Sequence, residues 1–119
     1  MTLNNQLGNG TITWDGSKTN DVVPVSRGMG TKILVRINNG AIGQSLTVTF
    51  EYNTDGANWR QWYNNALPPV AVSFTHAASL DLIYGPFEGF PAFLGGRIKV
   101  TAGVAPTNAT QTTITVMEI

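Results

Sequence analysis

The sequence predicts an all-β chain, a single antiparallel β-sandwich or jelly roll of about eight short strands. Three observations carry that expectation. Apolar and polar residues alternate in short runs, as where Leu46, Val48, Phe50 and Tyr52 are set against Thr47, Thr49 and Glu51. A strand turns successive side chains to opposite faces, so such a run has one dry face and one wet face. Turn pairs such as Asp15-Gly16, Asn39-Gly40, Asp55-Gly56 and Pro68-Pro69 separate the runs at close spacing, the pattern of sandwiches and barrels. No window repeats its apolar residues at i, i+3, i+4 and i+7, as a surface helix would.

Taken in order, residues 1–10 are polar and rich in Gly and Asn. They are expected to be a flexible arm or a first edge strand, with residues 11–119 forming the sandwich domain. Residues 11–14 are a short strand with Ile12 and Trp14 on one face. Residues 21–25 are extended, and Pro24 confines them to an edge or a bulge. Residues 31–38 are the strongest central strand, apolar on both faces except at Lys32 and Arg36.

The clearest hairpin spans 46–63. Asn53-Thr54-Asp55-Gly56 offers side chains that bond their own backbone and a glycine that accepts positive φ. Loop length decides which tryptophan is buried. An even loop of four, 53–56, puts Trp59 on the face of Phe50, and that is the expectation. A three-residue loop with a glycine bulge would send Trp62 inward instead. Glu51 projects from the outer face and is expected to pair across the strands with Arg60 or a neighbour.

Residues 70–75 and 79–84 read as two more strands. Residues 85–96, GPFEGFPAFLGG, break the pattern with two prolines and four glycines, yet Phe87, Phe90, Phe93 and Leu94 are strongly apolar. This stretch is either an interface loop, since a monomer seldom exposes so many aromatic side chains together, or a plug over one open end of the sandwich. Residues 97–104 resume as a strand with Ile98 and Val100 inward. Residues 111–119 close the chain with Ile114 and Val116 inward.

Composition narrows the function classes. At 119 residues, one domain with a real core is expected. Charged residues are 12% of the chain, against the usual quarter, which suits a protein packed against neighbours, because interface cores are depleted in charge. Net charge is zero, so no field is built for nucleic acid. There are no cysteines and hence no disulfide, thiolate or zinc ribbon. No basic-then-apolar leader and no run long enough to cross a membrane as a helix is present, so synthesis in a cytoplasm is expected.

Catalytic chemistry finds little support. His76 is the only histidine, and its surroundings lack a nucleophile-elbow pattern; a loop histidine between two strands is expected. The carboxylates are spread along the chain with no dense calcium loop. No glycine run leads into a helix to cradle phosphate. The expectation is a chain that is not an enzyme and holds no cofactor or metal. Trp14, Trp59, Trp62, Tyr52 and Tyr63 allow a sugar-stacking platform, but such residues more often fill a core or a subunit interface.

Residues 48–62, VTFEYNTDGANWRQW, and 96–119, GRIKVTAGVAPTNATQTTITVMEI, resemble small β-sandwich virion proteins of tailed bacteriophages. The matching features are Tyr52, Asp55, Gly56, Asn58 and Trp59, then Arg97, Ile98, Lys99 and Val100. The resemblance implies a virion component made in the host cytoplasm: a capsid decoration (cement) protein that bridges subunits of the major capsid protein, or a tail or head-fibre component, usually a symmetric oligomer, with a homotrimer favoured. Interface candidates are Leu3, Leu7, Trp62, Phe87, Phe90, Phe93 and Leu94. On that reading, removing residues 2–9 leaves the fold intact and weakens docking. The alternative is a carbohydrate-binding module, in which Trp62→Ala would abolish glycan binding without lowering the melting temperature.

Overall fold

The computed structural model describes residues 5–25, 32–39, 42–64, 67–91, 95–107 and 109–119, with the backbone alone at Asn5 and Gln6. Among them are nine strands: β1 (Asn5–Trp14), β2 (Asn20–Val25), β3 (Lys32–Asn38), β4 (Leu46–Asn53), β5 (Trp59–Gln61), β6 (Ser73–His76), β7 (Asp81–Glu88), β8 (Gly96–Ala102) and β9 (Thr110–Glu118). All pair antiparallel, in two sheets ordered β1-β9-β3-β7 and β2-β8-β4-β5, with β6 also joined to β4. The chain is a β-sandwich, as its alternation predicts.

The core is the set of inward positions that alternation marks. Ile33, Val35 and Ile37 of β3, Leu46, Val48 and Phe50 of β4, Ile98 and Val100 of β8, and Ile114 and Val116 of β9 are all buried. Burying each such side chain contributes roughly 1.5–3 kcal/mol. Ile12 and Trp14 join them, and the Trp14 indole N–H donates to the Thr112 hydroxyl at 2.9 Å, so the one polar atom of a buried ring has a partner.

The first departure is the boundary at residue 11. Of the two forms expected for the N-terminal stretch, residues 5–10 take the edge strand and are half of β1, in register with β9 from Asn5 opposite Glu118 to Trp14 opposite Thr110. Leu7 is buried in the core. The glycines are there for closeness: a Cβ on Gly8 would collide with the Pro24 carbonyl oxygen, and one on Gly10 would lie 2.9 Å from a Val23 methyl. β1 and β2, from opposite sheets, thus approach each other and close one side of the sandwich. Removing residues 2–9 would strip Leu7 and half a strand, so the fold would not stay intact. Residues 1–4 lie outside the described residues.

The second departure is β7. It runs on through Gly85-Pro86-Phe87, where the sequence predicts an irregular stretch. A register shift between Ile33 and Val35 absorbs the extra residue. β7 is an edge strand, so Pro86 removes no ladder bond that the sheet needs. β6 is shorter and later than the 70–75 expected, with Ala71 contributing an isolated bridge to Tyr63.

Candidate functional site

The β4–β5 hairpin sets the geometry of the open side. Residues 54–58, five in number, lie between the paired Asn53 and Trp59. The Asp55 carboxylate accepts the backbone N–H groups of Ala57 and Asn58, both at 2.9 Å, and the Asn58 amide at 3.0 Å. The Asn53 side-chain oxygen accepts the Gly56 N–H at 3.1 Å, with Gly56 at φ 78°. The bonds from Asn58 and Ala57 hold the Asp55 carboxyl down at about 2.

An odd loop inverts the parity that a four-residue loop would give. Trp62 therefore falls opposite Phe50 and is 9% exposed, while Trp59 is 39% exposed. The expectation that Trp59 is the buried tryptophan is overturned. Trp59 lies instead on the outer face of its sheet, where the Arg97 guanidinium sits 4.2 Å from its ring centroid. Arg97 also donates to Glu51 at 2.6 Å, its direct neighbour across β4 and β8. Glu51 finds its cross-strand partner in that neighbour.

On the side away from β1 and β2, the edges β7 and β5/β6 face each other across an aromatic cluster. Phe50 is the hub, with ring centroids 5.7 Å from Trp62, 4.7 Å from Phe87 and 5.3 Å from Phe90. Phe74 of β6 lies 4.2 Å from Tyr84 of β7. A cleft of about 390 Å³ remains at the rim, lined by Trp62, Asn64, Val72, Phe74, Phe87 and Glu88 among others.

This cluster revises the interface candidates. Leu7, Trp62 and Phe90 are buried within the subunit, so their side chains are not on offer to a partner. Phe87 is half-buried against Phe50. The plug reading of 85–96 describes Phe87 and Phe90, because an aromatic ring gains more from sealing the open side than from standing in water. Leu3, Phe93 and Leu94 lie outside the described residues. Trp62 also supports Phe50, so Trp62→Ala would lower stability whatever it did to a ligand.

The apolar residues that do reach solvent are others. Tyr63, Leu67 and Val70 project from the β5–β6 connection, with Leu67 95% exposed. The connection is pinched at its base. Asn64 donates its N–H to the Val70 carbonyl at 2.8 Å, and its side-chain oxygen accepts the Val70 N–H at 3.1 Å. Leu80, Leu82 and Ile83 are 42%, 41% and 56% exposed along β7. Leu67 beside two prolines was a signal in the sequence for a projecting apolar tip. Leu80 and Leu82 gave none, since alternation assigns them to the dry face.

His76 is not in a loop. It ends β6, fully buried. Its Nε2 lies 2.9 Å from the Leu80 carbonyl, and its Nδ1 lies 2.7 Å from the Tyr84 hydroxyl. A carbonyl only accepts, so Nε2 carries the proton, and Nδ1 accepts from Tyr84 in the neutral ring. Burial raises the Tyr84 phenol above its ordinary value. The hydroxyls nearby are engaged elsewhere: Ser79 donates to the Ile42 carbonyl and Ser73 to that of Val48, both at 3.0 Å.

The carboxylates are dispersed. Asp21 binds Lys18 at 2.7 Å, Glu88 lies 3.4 Å from Lys32, and Arg36 donates to both oxygens of Asp81, at 3.0 and 2.6 Å. Among the described residues, no three His, Cys, Asp or Glu side chains are grouped to hold a metal ion.

No family model matches the chain, and no curated protein matches it. Among solved structures, the chain is similar to one described as the crystal structure of PirA, with a TM-score of 0.51 and 15% identity over 93% of each chain. At that identity the likeness is one of fold, and the fold shared is the β-sandwich.

Proposed function

We propose that this chain is a non-enzymatic virion structural protein that decorates a capsid shell by bridging neighbouring subunits of the major capsid protein. One observation carries the docking role: the pinched connection 63–70 holds Tyr63, Leu67 and Val70 out in water. Leaving a leucine almost wholly solvated forgoes the roughly 1.5–3 kcal/mol that burial would contribute. A loop stiffened by Pro68-Pro69 loses little entropy on docking, so most of that energy goes into binding. The identity of the partner comes from the likeness of the hairpin and closing strands to virion proteins. Stabilisation then follows by linkage: a protein that binds only the assembled shell shifts the shell toward assembly.

The test is co-sedimentation with capsid shells. Wild-type protein should pellet with shells, and Leu67→Asp should remain in the supernatant at an unchanged melting temperature. Failure of the wild type to pellet, or full decoration by Leu67→Asp, would reject the reading.

The rim cleft favours a second reading, a carbohydrate-binding module. There the half-buried rings of Phe74 and Phe87 line the cleft together with the polar groups of Asn64 and Glu88, the mixture of ring and polar atoms that a sugar requires. A glycan array without hits would remove it.

A further inference from the structure

An unpaired sheet edge is a template for another strand unless a proline, a charge, a bulge, short length or a covering element blunts it. This sandwich blunts its edges unequally. β1 lies against β2, and β2 carries Pro24. β5 and β6 are three and four residues long. β7 runs for eight residues.

The hydrogen bonds show which groups of β7 face outward. Asn39 donates its backbone N–H to the Leu80 carbonyl at 3.2 Å. Bonded pairs recur at every second residue of an antiparallel ladder. Leu82, opposite Ile37, and Tyr84, opposite Val35, therefore turn their N–H and C=O toward β3, and those of Asp81 and Ile83 point away. The other side of β3 agrees, since Ile119 donates to the Lys32 carbonyl at 3.0 Å and the alternate residues of β3 serve β9. Past the register shift, Ile33 faces Phe87, so Pro86 points outward without an N–H. The far half of β7 is thus blunted. The near half is interrupted only at its ends, by Asp81, whose charge is already held by Arg36, and by Gly85 at φ 119°, and Leu82 and Ile83 are exposed between them.

We propose that this edge, residues 81–85, pairs antiparallel with the same edge of a second copy, about a two-fold axis through Ile83. The two four-stranded sheets would then join into one of eight. Charge and hydrogen bonding select this axis. An axis at Asp81 would set two carboxylates opposite each other, which is destabilising. An axis nearer Pro86 would bring a residue without an N–H into the ladder. With the axis at Ile83, Asp81 faces Gly85, which leaves room for the Asp81–Arg36 pair, and Leu82 faces Tyr84. The two Ile83 side chains, on the outer face beside Arg36, meet each other. The patch is small beside the roughly 1,600 Å² of a standard interface, so the dimer is reversible and concentration-dependent. This two-fold contact stands in place of the trimer that the resemblance implies. It does not depend on the virion reading, because it concerns the purified chain alone.

Sedimentation velocity over a broad concentration series tests it. Wild-type mass should rise from one copy toward two. Ile83→Lys and Ile83→Asp each place like charges at the axis and should each lose roughly tenfold or more in dimer affinity. The melting temperature should be unchanged in Ile83→Asp, since the side chain is solvent-exposed in the monomer, and only slightly lowered in Ile83→Lys, which sets a second cation opposite Arg36. An equimolar mixture of the two variants should regain the dimer, because opposite charges then meet. A wild type that stays monomeric or forms trimers, variants that dimerise as the wild type does, or a mixture that stays monomeric would overturn the proposal.

Discussion

Trp62 lies directly across the hairpin from Phe50: its backbone N–H is 2.9 Å from the Phe50 carbonyl, and the two ring centroids are 5.7 Å apart. Trp62 also packs on Phe90, at 5.2 Å. This pairing joins the turn chemistry of Asp55 to the seal on the open side, because the five-residue loop decides which tryptophan faces inward.

The two tryptophans should therefore differ sharply when truncated. Trp62→Ala empties a site among Phe50 and Phe90 and should cost about 3–5 kcal/mol. Trp59→Ala loses an exposed ring and its contact with Arg97, a difference of roughly 0.5–1 kcal/mol. Urea unfolding of both variants checks this. Equal losses, or a larger loss for Trp59→Ala, would reject the assigned parity.

Much of this arrangement was legible in the residues. The inward sets of β3, β4, β8 and β9 follow from alternation, because one buried face imposes a period of two. Parity across the hairpin was not legible. It depends on whether the loop closes at Tyr52 with Ala57, around four residues, or at Asn53 with Trp59, around five, and the five-residue form wins through the bonds gathered by Asp55. Residues 5–10 read as an arm or an edge strand without a decision between them, because glycines lower strand propensity. Their role is contact between β1 and β2, which only the tertiary arrangement reveals. Leu80 and Leu82 belong to the dry face by alternation, yet nothing in the sequence says that the opposite sheet leaves them partly uncovered.

Gly8 offers a direct probe of that closed side. A methyl group there meets backbone, the Pro24 carbonyl and the Val25 Cα, rather than a side chain able to swing away. Gly8→Ala should force β1 and β2 apart and cost about 1–3 kcal/mol, the range for overpacking. Gly43→Ala, where an added Cβ meets nothing, is the control and should be near neutral. A thermal melt of each decides it. Matching melting temperatures would mean that β1 and β2 are not in close contact.

Acid sensitivity should trace in part to Asp55. Its carboxyl is held at about 2 in the folded chain, against an ordinary value of 3.8. Backbone N–H bonds from Asn58 and Ala57 are the main cause, and the Asn58 amide adds to them. Between those two values the unfolded chain binds the proton and the folded chain does not, so protonation favours unfolding. The stabilisation is therefore complete above the ordinary value and is lost as pH falls toward 2. Asp55→Ala should be less stable than wild type at neutral pH, and the gap between the two should shrink as acid is added. Other carboxylates, such as those of Asp21 and Asp81, are also lowered, but they titrate in both proteins and largely cancel from the difference. Urea midpoints of the pair, measured from neutral pH down to about 2, give that gap directly. A gap that stays constant across the acid range would show that the loop does not hold the carboxylate as described.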